Sequence, residues 1–313
     1  SFDNTGGSIT TTNAAITINH SGAVTIGAAL SSGSGAVDID SSASTITLNA
    51  GISVSTGNIT IDSSGLTTVA LAGAITATGN ATVSFGATGA GTVASAANIT
   101  TAGGAIRFYR ALELTGNVSL DTGSGAGITF DNTIDLQEHY LSIAAPSNSI
   151  SFVGNINGNT ASSHIRILAA GSIGPSSGIN ISNADLYIDA NGSTITLNSN
   201  LSARNIYFYR GELNLAGSEI TTTADFVVFG TAYNPDDPEW DGKACDPDDP
   251  EWDGDDSRFA YYHKEALAYY PAGGGYNTVT GAFETAPNAS FSNLFRSTIS
   301  VGANFYNNGA NMN

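Results

Sequence analysis

The chain has 313 residues, of which only 12% are charged, and Asp and Glu outnumber Lys and Arg by 27 to 9. The net charge of −18 argues against binding to nucleic acid or to an anionic membrane, because both interactions need cationic side chains. The single cysteine, Cys245, excludes an intrachain disulfide. The sequence has no apolar run long enough to predict a membrane-spanning helix.

A short motif recurs between Val24 and Leu201. It consists of an aliphatic residue, any residue, then an aliphatic residue or Phe, with another apolar residue four positions later. Copies begin at Val24, Ile46 and Val69, with a degraded copy at Val93, at intervals of 22 to 24 residues; further copies begin at Ile128 and Ile150, 22 residues apart, and at Ile195. Each copy predicts a short strand with one buried face, and the intervening Gly, Asn and Ser residues predict turns.

Further phrases repeat between these copies. Thr-Gly-Asn followed by an apolar residue and Thr or Ser begins at Thr56, Thr78 and Thr115, and Ile106-Arg-Phe-Tyr-Arg110 is echoed at Ile206-Tyr-Phe-Tyr-Arg210. Short strands at a nearly fixed period favour an all-β parallel β-helix (β-solenoid) with coils of about 22 residues. A sandwich or barrel of antiparallel strands is the alternative, although neither fold requires a fixed period.

A coil of this length is not expected to fold alone. Four to six buried aliphatic side chains contribute roughly 1.5–3 kcal/mol each, whereas ordering the backbone costs roughly 1–2 kcal/mol per residue. Stability therefore depends on stacking each coil on its neighbours.

An acidic, Pro-rich segment interrupts the pattern. We predict a β-helix shaft over 1–232, an acidic, Trp- and Tyr-rich loop insertion over 233–273, and a return to the solenoid over 274–313. The insertion contains Asn-Pro-Asp-Asp-Pro-Glu-Trp-Asp-Gly at 234–242 and a near-copy at 246–254. Clustered carboxylates suit calcium, and the candidate ligands are Asp236, Asp237, Asp241, Asp248, Asp249 and Asp253. A solvated acidic loop without metal is the alternative, since the spacing matches no established calcium loop.

The same region concentrates large aromatic side chains. Exposed aromatics beside polar groups form contact surfaces for proteins or sugars, and the candidates here are Trp240, Trp252, Tyr261, Tyr262, Tyr269 and Tyr270. Alternatively, these side chains cap an apolar end of the column.

Catalytic chemistry has little support in the sequence. Asp38 and Asp40 alternate on one predicted strand and so share a face, which is the arrangement of a carboxylate pair, but solubility at a sheet edge explains them equally well. We expect no enzymatic activity and no cofactor, with calcium at the acidic insertion as the alternative to a metal-free loop and a polysaccharide-active β-helix enzyme as the remote alternative in function.

The phrases Ile46-Thr-Leu-Asn-Ala-Gly51 and Thr56-Gly-Asn-Ile-Thr-Ile61 resemble the repeats of filamentous-haemagglutinin-like exoproteins and autotransporter passengers, with a likeness over residues 8–230. This resemblance implies a right-handed parallel β-helix on a bacterial surface. We therefore expect an extracellular structural scaffold: a rod-like filament or sheath subunit, or the shaft of an adhesin. Its expected partners are further copies stacked end to end or cell-surface components. The alternative is an adhesin that binds a host or surface ligand through the acidic aromatic insertion.

Overall fold

The computed structural model describes residues 1–228 and four later strands. Short gaps in the first part fall at 43–44, 64–67, 87–90, 159, 161, 169–171, 176–178, 182, 191–193, 199, 210, 215–217 and 225. The later strands comprise 289–292, 298–301, 305–307 and 311–312. All regular structure in these residues is β-strand.

The strands form three sides of a column, and each sheet takes every third strand along the chain. Sheet A contains β1 (Phe2–Asp3), β4 (Val24–Ile26), β7 (Ile46–Leu48), β10 (Val69–Leu71), β13 (Thr92–Ser95), β16 (Ala111–Leu114), β19 (Ile134–Asp135) and β22 (Ile156–Asn157). Sheet D takes the third side in the later coils, with β25 (Ile179–Ile181), β28 (Leu201–Ala203), β31 (Glu219–Thr222) and β34 (Thr298–Val301).

The other two sides each run through 12 strands. Sheet B contains β2 (Ile9–Thr11), β5 (Leu30–Ser32), β8 (Ile52–Val54), β11 (Ile75–Ala77), β14 (Ile99–Thr101), β17 (Val118–Asp121), β20 (Tyr140–Ala144), β23 (His164–Leu168), β26 (Asp185–Asp189), β29 (Ile206–Phe208), β32 (Phe226–Val228) and β35 (Phe305–Asn307). Sheet C contains β3 (Ile16–His20), β6 (Val37–Ser41), β9 (Ile59–Ser63), β12 (Val83–Phe85), β15 (Ile106–Phe108), β18 (Ile128–Phe130), β21 (Ser149–Phe152), β24 (Ser172–Pro175), β27 (Thr194–Leu197), β30 (Gly211–Asn214), β33 (Ala289–Ser292) and β36 (Asn311–Met312).

The predicted all-β solenoid with coils of about 22 residues is confirmed. Val24 pairs with Ile46, Ile46 with Val69, and Val69 with Val93, all in parallel. The predicted right-handedness stays a prediction, as does the loop insertion.

Most three-residue strands have a buried, outward, buried pattern, so that one side chain in three faces away from the axis. The inward side chains form one continuous hydrophobic core along the column. A stack of phenylalanines runs inside sheet C, with ring centroids 4.8 Å apart between Phe85 and Phe108, then 5.3 Å to Phe130 and 5.3 Å to Phe152. Identical side chains stack because parallel pairing places equivalent positions directly above one another.

Asparagines at the turns connect successive coils. The side-chain oxygens of Asn58, Asn98, Asn117 and Asn200 each accept a hydrogen bond of 2.8 to 3.2 Å from a backbone N–H of the following coil. These bonds satisfy backbone donors at the corners, where the sheet ladder is interrupted. The high Asn content therefore has a structural cause.

One arginine lies inside the shaft. Arg110 is 1% exposed, and its aliphatic stem crosses Gly86, which has a φ of +69°. A Cβ at position 86 would lie 2.7 Å from the Arg110 Cδ and 2.8 Å from its Cγ. Glycine is thus required both for the backbone conformation and for the space that the arginine fills.

Candidate interaction surface

The predicted ligands and contact residues of the acidic segment lie outside the described residues. This applies to the candidate calcium ligands Asp236, Asp237, Asp241, Asp248, Asp249 and Asp253, and to the aromatics Trp240, Trp252, Tyr261, Tyr262, Tyr269 and Tyr270. Calcium binding and ligand binding at these positions stay predictions. Within the described part of the chain, no group of three or more His, Cys, Asp or Glu side chains is placed to hold a metal ion.

The outward side of sheet B changes character along the shaft. In the early strands its outward residues are small, polar and exposed, as at Ser53, Thr76 and Thr100. From β20 to β29 several outward positions hold large side chains. We call these five the aromatic face: Tyr140, His164, Arg166, Tyr187 and Tyr207.

The rings of the aromatic face form a ladder across four coils. Tyr140 stacks on His164 with centroids 5.1 Å apart, His164 meets the edge of Tyr187 at 5.5 Å, and Tyr187 stacks on Tyr207 at 4.8 Å. The Arg166 guanidinium carbon lies 5.9 Å from the centre of the Tyr140 ring. Each such contact contributes roughly 0.5–1.5 kcal/mol beyond the buried area.

Parallel pairing explains why this ladder forms. Tyr140 is paired with His164, and Arg166 with Tyr187, which is in turn paired with Tyr207. Aligned neighbours in adjacent strands lie about 4.8 Å apart, which is close to the optimal ring-stacking distance.

A partly buried ion pair borders the aromatic face. Arg204 donates to both carboxylate oxygens of Asp185, at 2.8 Å from Nε and 2.6 Å from Nη2, and Asn205 donates to the same carboxylate at 2.9 Å. Asp185 is 4% exposed. The hydrogen bonds that Arg204 donates to this carboxylate raise the pKa of Arg204.

His164 is the titratable group within the ladder. Burial lowers its pKa, and the neighbouring Arg166 adds to the effect, while a backbone hydrogen bond to Ser162 and the charge of Asp185 oppose it. The imidazole is therefore neutral at pH 7 and stacks as an uncharged ring.

The carboxylates that sequence reasoning singled out lie on another side of the shaft. Asp38 and Asp40 share the outward face of β6, and Asp40 is paired with Asp62 in β9. Burial, followed by the charges of Asp62 and Asp38, raises the pKa of Asp40. Arg110 reaches Asp62 from inside the shaft, with Nη2 3.5 Å from Oδ1. The carboxylates of this cluster repel one another along the ladder, and the buried Arg110 guanidinium partly offsets that repulsion.

The aromatic face was not predicted from the sequence. The separation of Tyr187 and Tyr207 is close to one coil length, and this spacing was the available signal.

Within the described residues, no helix is long and apolar enough to cross a bilayer.

The fold places the protein in the class of β-solenoids. Comparison with protein-family models found no matching family, and comparisons with curated proteins and with solved structures found no match either.

Proposed function

We propose that this chain is an extracellular structural scaffold of a bacterial surface, acting as a rod-like filament or sheath subunit or as an adhesin shaft. The observation that carries the proposal is the continuous parallel column, in which two sheets run through 12 strands each. At about 4.8 Å per strand, such a column is about 50 Å long. The resemblance of its repeats to filamentous-haemagglutinin-like exoproteins supports the same function.

The surface of the shaft suits this function. Outward residues along the early coils are mainly small and polar, and three ion pairs in the described part of the shaft join Arg107 to Asp131, Arg110 to Asp62 and Arg204 to Asp185. Few large apolar side chains are exposed on the described part of the shaft, which limits nonspecific association along its sides. Rigidity and reach are then the properties that such a shaft contributes.

Further copies of the chain are the partners that the ladder geometry favours. Register is kept from strand to strand in each sheet, so a coil supplied by another copy would extend the column through the same backbone hydrogen bonds. A head-to-tail contact of this kind does not close on itself and produces filaments.

Electron microscopy of the purified chain at several concentrations tests the proposal. Fibres with an axial repeat near the rod length would identify a filament subunit, and separate rods at every concentration would identify a display shaft. Compact particles without an elongated axis would overturn both. Antibody labelling of intact source cells tests the location, and labelling that requires permeabilised cells would contradict a surface role.

A further inference from the structure

One side of the column is interrupted between two successive coils. The ladder of sheet A ends at β22, and that of sheet D begins at β25, which is the next strand on the same side. The two strands are neighbours, yet no strand pairing joins them in the described part of the chain. Each earlier strand of sheet A and each described strand of sheet D is paired with the next. We call the interruption between β22 and β25 the seam.

The strands of sheet A shorten towards the seam. β16 has four residues, whereas β19 and β22 have two each. Gly158 follows β22 directly and lies so close to the next coil that a Cβ at this position would overlap the Cβ of Ala184. Ile156 and Ile179 belong to the common hydrophobic core. Apolar packing therefore joins the two coils at the seam, without the backbone ladder that accompanies it elsewhere on this side.

Sheet B crosses the same junction with one of its longest ladders. All five residues of β23, His164–Leu168, are paired with the five residues of β26, Asp185–Asp189. The edge contact between His164 and Tyr187, with ring centroids 5.5 Å apart, lies across the same pair of strands. The two coils are thus joined firmly on the side of the aromatic face.

Sheet C makes an intermediate connection. Ser172 and Ile173 of β24 are paired with Thr196 and Leu197 of β27, and the remaining residues of β24 are Gly174 and Pro175. Glycine weakens a strand, and proline has no N–H to donate to a ladder. The attachment between the two coils therefore decreases from sheet B through sheet C to the seam.

We infer that the seam is a hinge of the shaft. The coils on its two sides separate between β22 and β25 and remain joined through sheet B, which lies on the inner side of the bend. Hydrophobic contact is non-directional, so it tolerates a small change of angle that would break an aligned ladder of hydrogen bonds. The amplitude is limited, because wide opening would expose the buried Ile156 and Ile179 to water.

This inference does not rest on the proposed function, because it concerns how two coils of one chain are joined. In a surface scaffold, the hinge would let the two parts of the shaft point in different directions while the column stays intact.

Distances between spin labels on the interrupted side test the inference. In a full-length Cys245→Ser chain, Glu113→Cys is combined either with Thr25→Cys or with Ser202→Cys, and all three labelled positions face outward. Each pair spans four strand spacings, about 19 Å at about 4.8 Å per strand, but only the pair of positions 113 and 202 crosses the seam. Pulsed electron paramagnetic resonance, with labelled chains diluted into unlabelled chains, measures both distance distributions. We expect the distribution across the seam to be at least about twice as wide as the other, because the hinge samples a range of angles.

Two glycine variants act as matched wedges. A Cβ on Gly158 would overlap that of Ala184 at the seam, and a Cβ on Gly116 would lie 2.8 Å from that of Ala96, between the paired strands β13 and β16. Relaxing either contact to the ordinary separation of about 3.5–4.0 Å requires the coils to move apart. Gly158→Ala should therefore lengthen the mean distance across the seam by about 1 Å or more, whereas Gly116→Ala should leave the distance between positions 25 and 113 unchanged. Circular dichroism checks that both variants keep their β-structure, and the comparison of the two label pairs does not depend on either variant.

Hydrogen exchange identifies the pivot. Amides of β22 and β25 should exchange at least about tenfold faster than those of β23 and β26, because sheet B stays paired when the seam opens. Equal widths of the two distance distributions would overturn the inference, and so would equal effects of the two glycine variants. Exchange in β23 and β26 as fast as in β22 and β25 would also overturn it, since the coils would then separate on all sides instead of bending about sheet B.

Discussion

Truncating the middle of the phenylalanine stack tests the idea that coils are stabilised by their neighbours. Phe130 is 1% exposed and stacks on Phe108 and Phe152, both at 5.3 Å. Phe130→Ala removes a buried ring and both stacking contacts, which together cost about 3–5 kcal/mol. Because a solenoid coil contacts only its neighbours, we expect the loss to concentrate in β15, β18 and β21.

Hydrogen exchange resolved by peptide is the suitable assay, since a long repeat array need not unfold in one step. Amides of β15, β18 and β21 should exchange faster by a factor that corresponds to several kcal/mol, while those of β4 and β7 keep most of their protection. The control is Val153→Ala, which truncates a 38% exposed side chain one position beyond the stack. A change below about 1 kcal/mol in the opening free energy of the central strands, or an equal loss of amide protection along the whole shaft, would refute the reasoning.

Three further outcomes are expected. Gly86→Ala should lower the free energy of unfolding by at least about 2 kcal/mol, because alanine is strained at positive φ and its Cβ displaces the buried Arg110 stem; chemical denaturation measures this. Burial lowers the pKa of His164, so the unfolded chain binds a proton at this side chain more readily than the folded chain does. The contribution of His164 to the free energy of unfolding should therefore be fully present above about pH 6.5 and decrease as the pH falls below it. In thermal melts, His164→Gln should flatten this dependence on pH. If the acidic segment binds calcium, the melting temperature should be several degrees higher with calcium than with chelator, and an Asp236→Ala, Asp248→Ala variant should lose the difference.

Each of these outcomes has a contrasting result. Gly6→Ala is the control for the glycine, because a Cβ there meets no atom within 4 Å, and an equal effect of both changes would contradict a role for Arg110. Parallel pH profiles of wild type and the His164 variant would show that another group sets the slope. Equal melting with calcium and chelator would remove the calcium hypothesis.

The repeat predicted the architecture, but not the side of the column on which each copy lies. Copies at Val24, Ile46 and Val69 belong to sheet A, whereas those at Ile128 and Ile150 belong to sheet C. The buried, outward, buried pattern is common to all three sides, so one motif fits any pair of consecutive strands. The side of the column on which a copy lies is determined only by the summed lengths of all the preceding strands and turns.

The echoed five-residue phrase shows the same limit. Ile106 lies in sheet C and Ile206 in sheet B, so their matching residues have different surroundings. Tyr207 in the second copy belongs to the aromatic face, while Arg107 in the first pairs with Asp131 at 2.7 Å. Arg110 was likewise unpredictable as a buried residue, because the space for its stem comes from Gly86, a full coil earlier.

The direction of the hydrogen bonds has a mechanical consequence. In every sheet the ladder bonds run along the column axis, so a force that pulls the two ends apart acts on them lengthwise and breaks the bonds of one coil before those of the next. Each released coil of about 22 residues would add about 70 Å of extended chain. A rod anchored at one end and loaded at the other would therefore lengthen in steps, absorbing work coil by coil instead of detaching at a single threshold.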